Sequence, residues 1–319
     1  MAERHFVSGG AGFIGSHLVD ALLDRGAEVT VYDNLSLGRR KFLSGALARG
    51  ARLVVADLLD TEGVAAELKG HDAVWHLAAN SDIRQGTKST RLDLEQGTLV
   101  THSLLEGMRL SGVRRLAFAS SSVVYGEPSV MPTPEDYGPL TPISLYGAAK
   151  LGAEGLISAF GHCYGMEAHI FRFANIIGPR STHGILHDFA EKLRANGQEL
   201  EVLGDGRQQK SYLGVDDCVA AMLHVVDNAS GPHSIHNLAA DDNINVARIA
   251  ELVVQMWTNG RAKLRYTGGR RGWAGDVPIM RLDPARLNAL GWTASRTSEQ
   301  AVQYAIAALD PGLESGAGA

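Results

Sequence analysis

Short apolar runs alternate with longer amphipathic stretches through the first half of the chain. Phe6-Val7, Val29-Thr30-Val31-Tyr32, Leu53-Val54-Val55, Ala73-Val74-Trp75-His76-Leu77 and Leu116-Ala117-Phe118-Ala119 are apolar or β-branched almost throughout. Runs of this kind suit the strands of a parallel sheet covered on both faces. Between them the period lengthens. Residues 12–25 put Ile14, Leu18, Ala21 and Leu22 on one helical face, and residues 91–109 do the same with Leu94, Leu99, Leu104 and Leu105. Such alternation predicts an α/β fold with a doubly wound parallel sheet.

The alternation loosens after about residue 174. Residues 179–182 and 204–206 read as loops, and 268–278 as a long Gly- and Arg-rich loop. Helices are expected at 215–228 and 246–257. This half predicts a smaller, irregular C-terminal domain over 175–310 that caps a first domain over 1–174. The Gly/Ala/Ser-rich tail, 311–319, is expected to fray.

Composition removes several function classes. Lys and Arg total 30 against 35 Asp and Glu, a net charge of −5, which argues against a general nucleic-acid binder. No apolar run approaches a membrane-spanning length, and the N-terminal apolar stretch is too short for a signal-peptide core. Cys163 and Cys218 offer neither a disulfide framework nor metal-ligand spacing, so no metal is expected. The thiols read as those of a cytoplasmic protein. Glycine stands out, with 37 in 319 residues against roughly 7% in average usage.

Some of those glycines carry chemistry. Gly9-Gly10-Ala11-Gly12-Phe13-Ile14-Gly15 follows the first strand and opens the first helix. Glycines allow the tight turn, let backbone approach a pyrophosphate, and let the helix pack on the strand. The helix N-terminus then offers unpaired N–H donors to the anion. Asp33 ends the second strand, where a carboxylate accepts from a ribose diol and repels a 2′-phosphate. Together these features predict a Rossmann-type domain binding NAD, although Arg39 and Arg40 leave a 2′-phosphate tolerable. Asp57-Leu58 follows the third strand, where Asp57 either meets the adenine or caps the next helix.

Tyr146 and Lys150 stand four residues apart, one turn of helix on a shared face. An ammonium about 4 Å from a phenolate gains ~1–4 kcal/mol, or ~1–3 pKa units, which would bring the phenol toward the working range. Ser120-Ser121-Ser122 follows the fifth apolar run, at the strand end where α/β sheets place ligands. A hydroxyl there would hold a substrate oxygen beside the phenol, or merely cap the strand end.

On these residues the sequence resembles the extended short-chain dehydrogenase/reductases, and among them the UDP-galactose-type nucleotide-sugar 4-epimerases. The resemblance runs over nearly the whole chain. It is carried by residues 8–18, Tyr32-Asp33-Asn34-Leu35-Ser36, His76-Leu77-Ala78-Ala79, Ser120 to Gly126, Tyr146 to Lys150, Arg172 to Arg180 and Gly204-Asp205-Gly206. Lys210-Ser211-Tyr212-Leu213 and Gly272-Trp273-Ala274-Gly275-Asp276 bring it nearest to archaeal-type epimerases. It implies an NAD site built from Gly9, Gly12, Phe13, Ile14, Gly15, Asp33, Asn34, Ser36, Asp57, Leu58, Leu77, Ala78 and Ala79, with Tyr146 and Lys150. It implies catalysis by Ser121, Tyr146 and Lys150, and substrate contacts from Ser121, Ser122, Asn175, Arg180, Lys210 and Arg271. The implied reaction inverts C4 of a UDP-hexose through a 4-keto intermediate, with Tyr146 moving the O4 proton and NAD taking and returning hydride. A homodimer through the helices at 91–109 and 145–160 is implied as well.

Departures narrow the chemistry. Related 4,6-dehydratases place Asp-Glu after the hydroxyl residue and related decarboxylases a Glu nearby, whereas this chain has Ser122 and Val123, which do no acid–base work on carbon. Leu94 stands where many relatives have Asn, and Lys210-Ser211-Tyr212 where they have Arg-Asp-Phe. Lys lacks the bidentate fork of Arg. Lys210 and Arg271 would meet a diphosphate or remain solvated loop charges. UDP-glucuronate stays open, since Ser120, Ser122 and Arg180 would suit a carboxylate, as does a UDP-N-acetylhexosamine. More distant alternatives are a sugar-nucleotide oxidoreductase and a non-enzymatic NAD sensor.

Overall fold

The computed structural model describes residues 2–272, 275–309 and 311–313, with the Arg84 side chain left aside. Trp273 and Ala274 of the expected loop, and 314–319 of the expected frayed tail, lie outside the described residues.

Seven strands form the central sheet: β1 (Arg4–Ser8), β2 (Glu28–Tyr32), β3 (Arg52–Val54), β4 (Ala73–His76), β5 (Arg115–Ser121), β6 (Glu167–Phe173) and β7 (His233–Leu238). Their order is β7-β6-β5-β4-β1-β2-β3, and every pair is parallel. Parallel strands need crossover helices, which cover both faces. The principal helices are α1 (Phe13–Asp24), α2 (Thr61–Leu68), α3 (Val100–Ser111), α4 (Leu145–Tyr164), α5 (Ile185–Ala195), α6 (Val215–Asn228), α7 (Val246–Thr258) and α8 (Ser298–Ala308). On one face Leu18, Val19 and Leu22 of α1 meet Cys218, Met222 and Val225 of α6 over Val7 and Val31. On the other, Val64, Leu104, Met108 and Ile157 from α2, α3 and α4 cover Phe6, Val74 and Phe118. The chain reverses direction of winding between β1 and β4, which opens a crevice at their C-terminal ends.

The second lobe has its own core, in which Leu186, Phe189 and Leu193 of α5 pack with Ile249 and Val253 of α7 and Val302 of α8. The division at residue 174 does not follow the sheet, because β7 and its covering helix α6 come from beyond it. The stretch expected as one helix over 91–109 is also broken. A short helix, Thr90–Asp93, passes into a π-helical turn, Leu94–Leu99, before α3 begins. None of the helices among the described residues is long and apolar enough to cross a membrane.

Candidate active site

A cleft of ≈ 540 Å³ lies between the strand ends and the second lobe. Its floor is the glycine turn. Gly12 caps α1 without a side chain, and the first turn of α1 carries no acid. The N–H groups of that turn are therefore unscreened toward an anion. Asp33 stands beside it, its Oδ2 accepting from Ala11 N at 2.9 Å and its Oδ1 from Leu35 N at 2.8 Å. Burial raises its pKa, and the two N–H donors oppose that rise. Asn34, Ser36, Asp57, Leu58, Leu77, Ala78 and Ala79 line the same end of the cleft as Gly9, Phe13, Ile14 and Gly15. Asp57 accepts from Leu59 N at 2.9 Å and Asn34 Nδ2 at 3.2 Å. The helix cap is Asp60, which accepts from Gly63 N. Arg39 lies over the Phe42 ring, with its guanidinium carbon 5.8 Å from the centroid. Neither it nor Arg40 lines the cleft.

Ser121, Tyr146 and Lys150 line the cleft at the end of β5. Ser144 caps α4 by accepting from Gly147 N at 3.0 Å, which sets Tyr146 in the first helical turn. A Cβ on Gly147 would fall 2.9 Å from Val123 O, so glycine lets this turn approach the one that follows Ser121. Lys150 Nζ donates to Ala119 O at 2.6 Å and sits 5.8 Å from the Tyr146 ring centroid. The helix thus brings the pair together, but the ammonium is anchored on the strand carbonyl. The Tyr146 phenol is pushed above its ordinary range by burial, reinforced by Asp93. Lys150 is driven down to about 8 by burial, against the pull of Glu154. Burial of the phenol thus works against the lowering expected from Lys150.

The proposed substrate residues divide. Asn175 and Lys210 line the cleft; Ser122, Arg180 and Arg271 do not. Lys210 Nζ pairs with Asp276 Oδ1 at 2.6 Å. Arg180 turns to Asp20, 2.8 Å away. Arg271 reaches Glu127 at 2.8 Å and the backbone of Asp276. Ser120 donates to Glu154 beneath the site.

Comparison with known proteins fits this arrangement. The model of the NAD dependent epimerase/dehydratase family matches residues 5–240. The chain belongs to that family. A putative UDP-glucose 4-epimerase of Methanocaldococcus jannaschii is 30% identical over 292 residues, covering 90% of this chain and 92% of the relative. A solved UDP-galactose 4-epimerase is 40% identical, with a TM-score of 0.86 over 96% of this chain and 98% of that one. The UDP-glucose 4-epimerase of Thermotoga maritima, solved with UDP-glucose, is 30% identical, with a TM-score of 0.86 and the same coverage.

This family's cofactor fits the residues present. The bare turn at Gly9 to Gly15 and the Asp33 carboxylate would hold the pyrophosphate and a ribose diol of NAD. Further residues line the cleft. Gln96 reaches the cleft from the π-helical turn, while Leu94 is 51% exposed. Tyr212 pairs with Asn175 across two short strands, Tyr212–Gly214 and Asn175–Ile177. Gln208, His183, Asp188 and Asp276 also line the cleft. The Asp276 loop and Tyr212 were visible as motifs; Gln96 had no signal, because a π turn shifts the helical register.

Proposed function

We propose that the protein is an NAD-dependent epimerase that inverts C4 of a UDP-hexose, interconverting UDP-glucose and UDP-galactose. The observation that carries this reading is one cleft holding the Gly9–Gly15 turn, Asp33, Ser121, Tyr146 and Lys150, with Ser122 and Val123, not an acid, following Ser121 in the chain. Bound NAD supplies the hydride acceptor and donor for C4. Tyr146 takes the proton from O4 and returns it, Ser121 holds that oxygen, and Lys150 steadies the phenol and the cofactor ribose. Asn175 and Lys210 contact the substrate at the second-lobe end, with Lys210 facing the diphosphate. Inversion requires both faces of C4 to be presented in turn, so the diphosphate stays held while the sugar rotates.

A neutral hexose is favoured over a hexuronate. The cations lining the cleft among the described side chains are Lys150 and Lys210. Ser122 and Arg180 do not line the cleft, and the Ser120 hydroxyl is donated to Glu154, which leaves a C5 carboxylate without these three partners. Elimination and decarboxylation lack an acid–base group at positions 122 and 123.

The same reading includes a homodimer through the π-helical turn, α3 and α4, where Leu99, Leu110 and Tyr164 are exposed. It also includes a cytoplasmic location, in keeping with Cys163 and Cys218, which are unpaired. Tyr146→Phe tests the chemistry. Turnover is expected to fall about 10²–10⁴-fold with NAD binding retained; wild-type turnover in that variant refutes the mechanism.

A further inference from the structure

Lys150 is 2% exposed, and an ammonium so buried needs a counter-charge to keep its proton. Several groups face it. Tyr146 precedes it by one turn of α4 and Glu154 follows it by one turn. From β5 come the Ala119 carbonyl and the Phe118 ring, whose centroid is 4.7 Å from Nζ. His76 of β4 feels its charge, and the His76 imidazole is held down to about 3 by burial and by Lys150. Glu154 is the anion among them. It is itself gripped: Arg172 of β6 donates from Nη2 to Oε2 at 2.7 Å and from Nε to Oε1 at 3.1 Å. Ser120 Oγ donates to Oε1 as well. Ala119 and Ser120 are consecutive, so one stretch of strand fixes the ammonium by its carbonyl and the carboxylate by its hydroxyl.

We propose that Glu154, held by Ser120 and Arg172, is a positioning residue that keeps Lys150 charged and docked on β5 during turnover. Were Glu154 only a structural tie between α4 and β6, its loss would lower folded yield and leave the pH profile alone. The proposal rests on the roles proposed above for Tyr146 and Lys150. Turnover by the wild type and its loss in Y146F test that reading by themselves, so a failure here leaves it standing.

The experiment measures kcat and KM for UDP-glucose to UDP-galactose conversion across pH 6 to 10, per NAD-loaded site. E154Q is expected to move the alkaline limb of kcat down by about one pH unit, since the anion that favours the charged lysine is gone. E154Q leaves a buried guanidinium unpaired, which threatens folding. E154Q/R172M removes both charges and is expected to move the limb in the same direction. S120A keeps both charges; its limb should stay in place while kcat falls about 2–10-fold. A wild-type limb in the folded Glu154 variants overturns the proposal, as does an equal shift in S120A.

Discussion

Gly15→Ala probes how closely the phosphate turn is built. A Cβ at position 15 would lie 2.2 Å from Gly9 O, 2.8 Å from Gly10 Cα and 3.0 Å from Gly9 C. All three obstacles are backbone, so no side chain can swing aside. The turn cannot retreat easily either, because Gly9 has a φ of +72° and its own Cα already faces the backbone of Ala78, 2.6 Å from where a Cβ would stand. Overpacking of this kind costs about 1–3 kcal/mol, and the NAD-bound turn must be closed against it. The expected loss is roughly 5–150-fold in NAD affinity, read by calorimetric titration of cofactor-stripped protein. The unfolding midpoint should fall by about 2–4 °C for each kcal/mol borne by the fold. Gly45→Ala is the control. It lies in the short helix Ser44–Ala48 with nothing within 4 Å of its Cβ position, so it should bind NAD normally and gain about 0.5–1 kcal/mol in stability. A Gly15→Ala protein that binds NAD as the wild type does would refute the reasoning.

Three further outcomes follow from the same geometry. Asp33→Ser removes the carboxylate that opposes a 2′-phosphate and should narrow the ratio of NAD to NADP affinity by about tenfold or more; an unchanged ratio counts against its place at the ribose. Arg180→Ala should leave KM for the nucleotide sugar within about twofold, because its guanidinium lies outside the cleft beside Asp20; a large rise in KM would return Arg180 to the substrate. Buried His76 and His236 have pKa values lowered to about 3 and about 4. Below pH 6.5 the unfolded chain binds their protons and the native state does not, so stability falls on acidification through that window. Each contributes a slope of about 1.4 kcal/mol per pH unit, and His76→Gln should flatten the acid side of a plot of unfolding midpoint against pH.

What the sequence discloses here is what neighbouring residues decide. A glycine turn between strand and helix is a local event, and so is the single helical turn from Tyr146 to Lys150. Both could be read from spacing, as could the first five of the sheet's strands from their apolar runs. Long-range choices were hidden. Arg180 could serve a phosphate or Asp20, and only the fold brings Asp20, 160 residues earlier, within 2.8 Å. Ser120, Ser121 and Ser122 look alike in sequence, yet Ser120 donates its hydroxyl to Glu154, Ser121 lines the cleft and Ser122 does not. The π turn at Leu94–Leu99 moved Gln96 into the cleft, where a regular 3.6-residue period placed Leu94 and Leu99 on a buried face. β7 escaped notice because His233–Leu238 mixes polar and apolar residues at the sheet's edge. The burial of the Tyr146 phenol, which raises its pKa, was hidden too, since spacing registers a nearby charge but not desolvation.

The central claim is that one cleft oxidises and re-reduces the same C4 without net consumption of cofactor. Incubating the protein, as purified and with no added NAD, with a panel of UDP-sugars and following the anomeric and H4 signals by proton NMR tests it most directly. The account predicts that UDP-glucose and UDP-galactose each convert into a mixture of the two, while UDP-glucuronate remains largely unchanged. Conversion of UDP-glucuronate alone, or turnover only with stoichiometric reduction of added NAD, would contradict it.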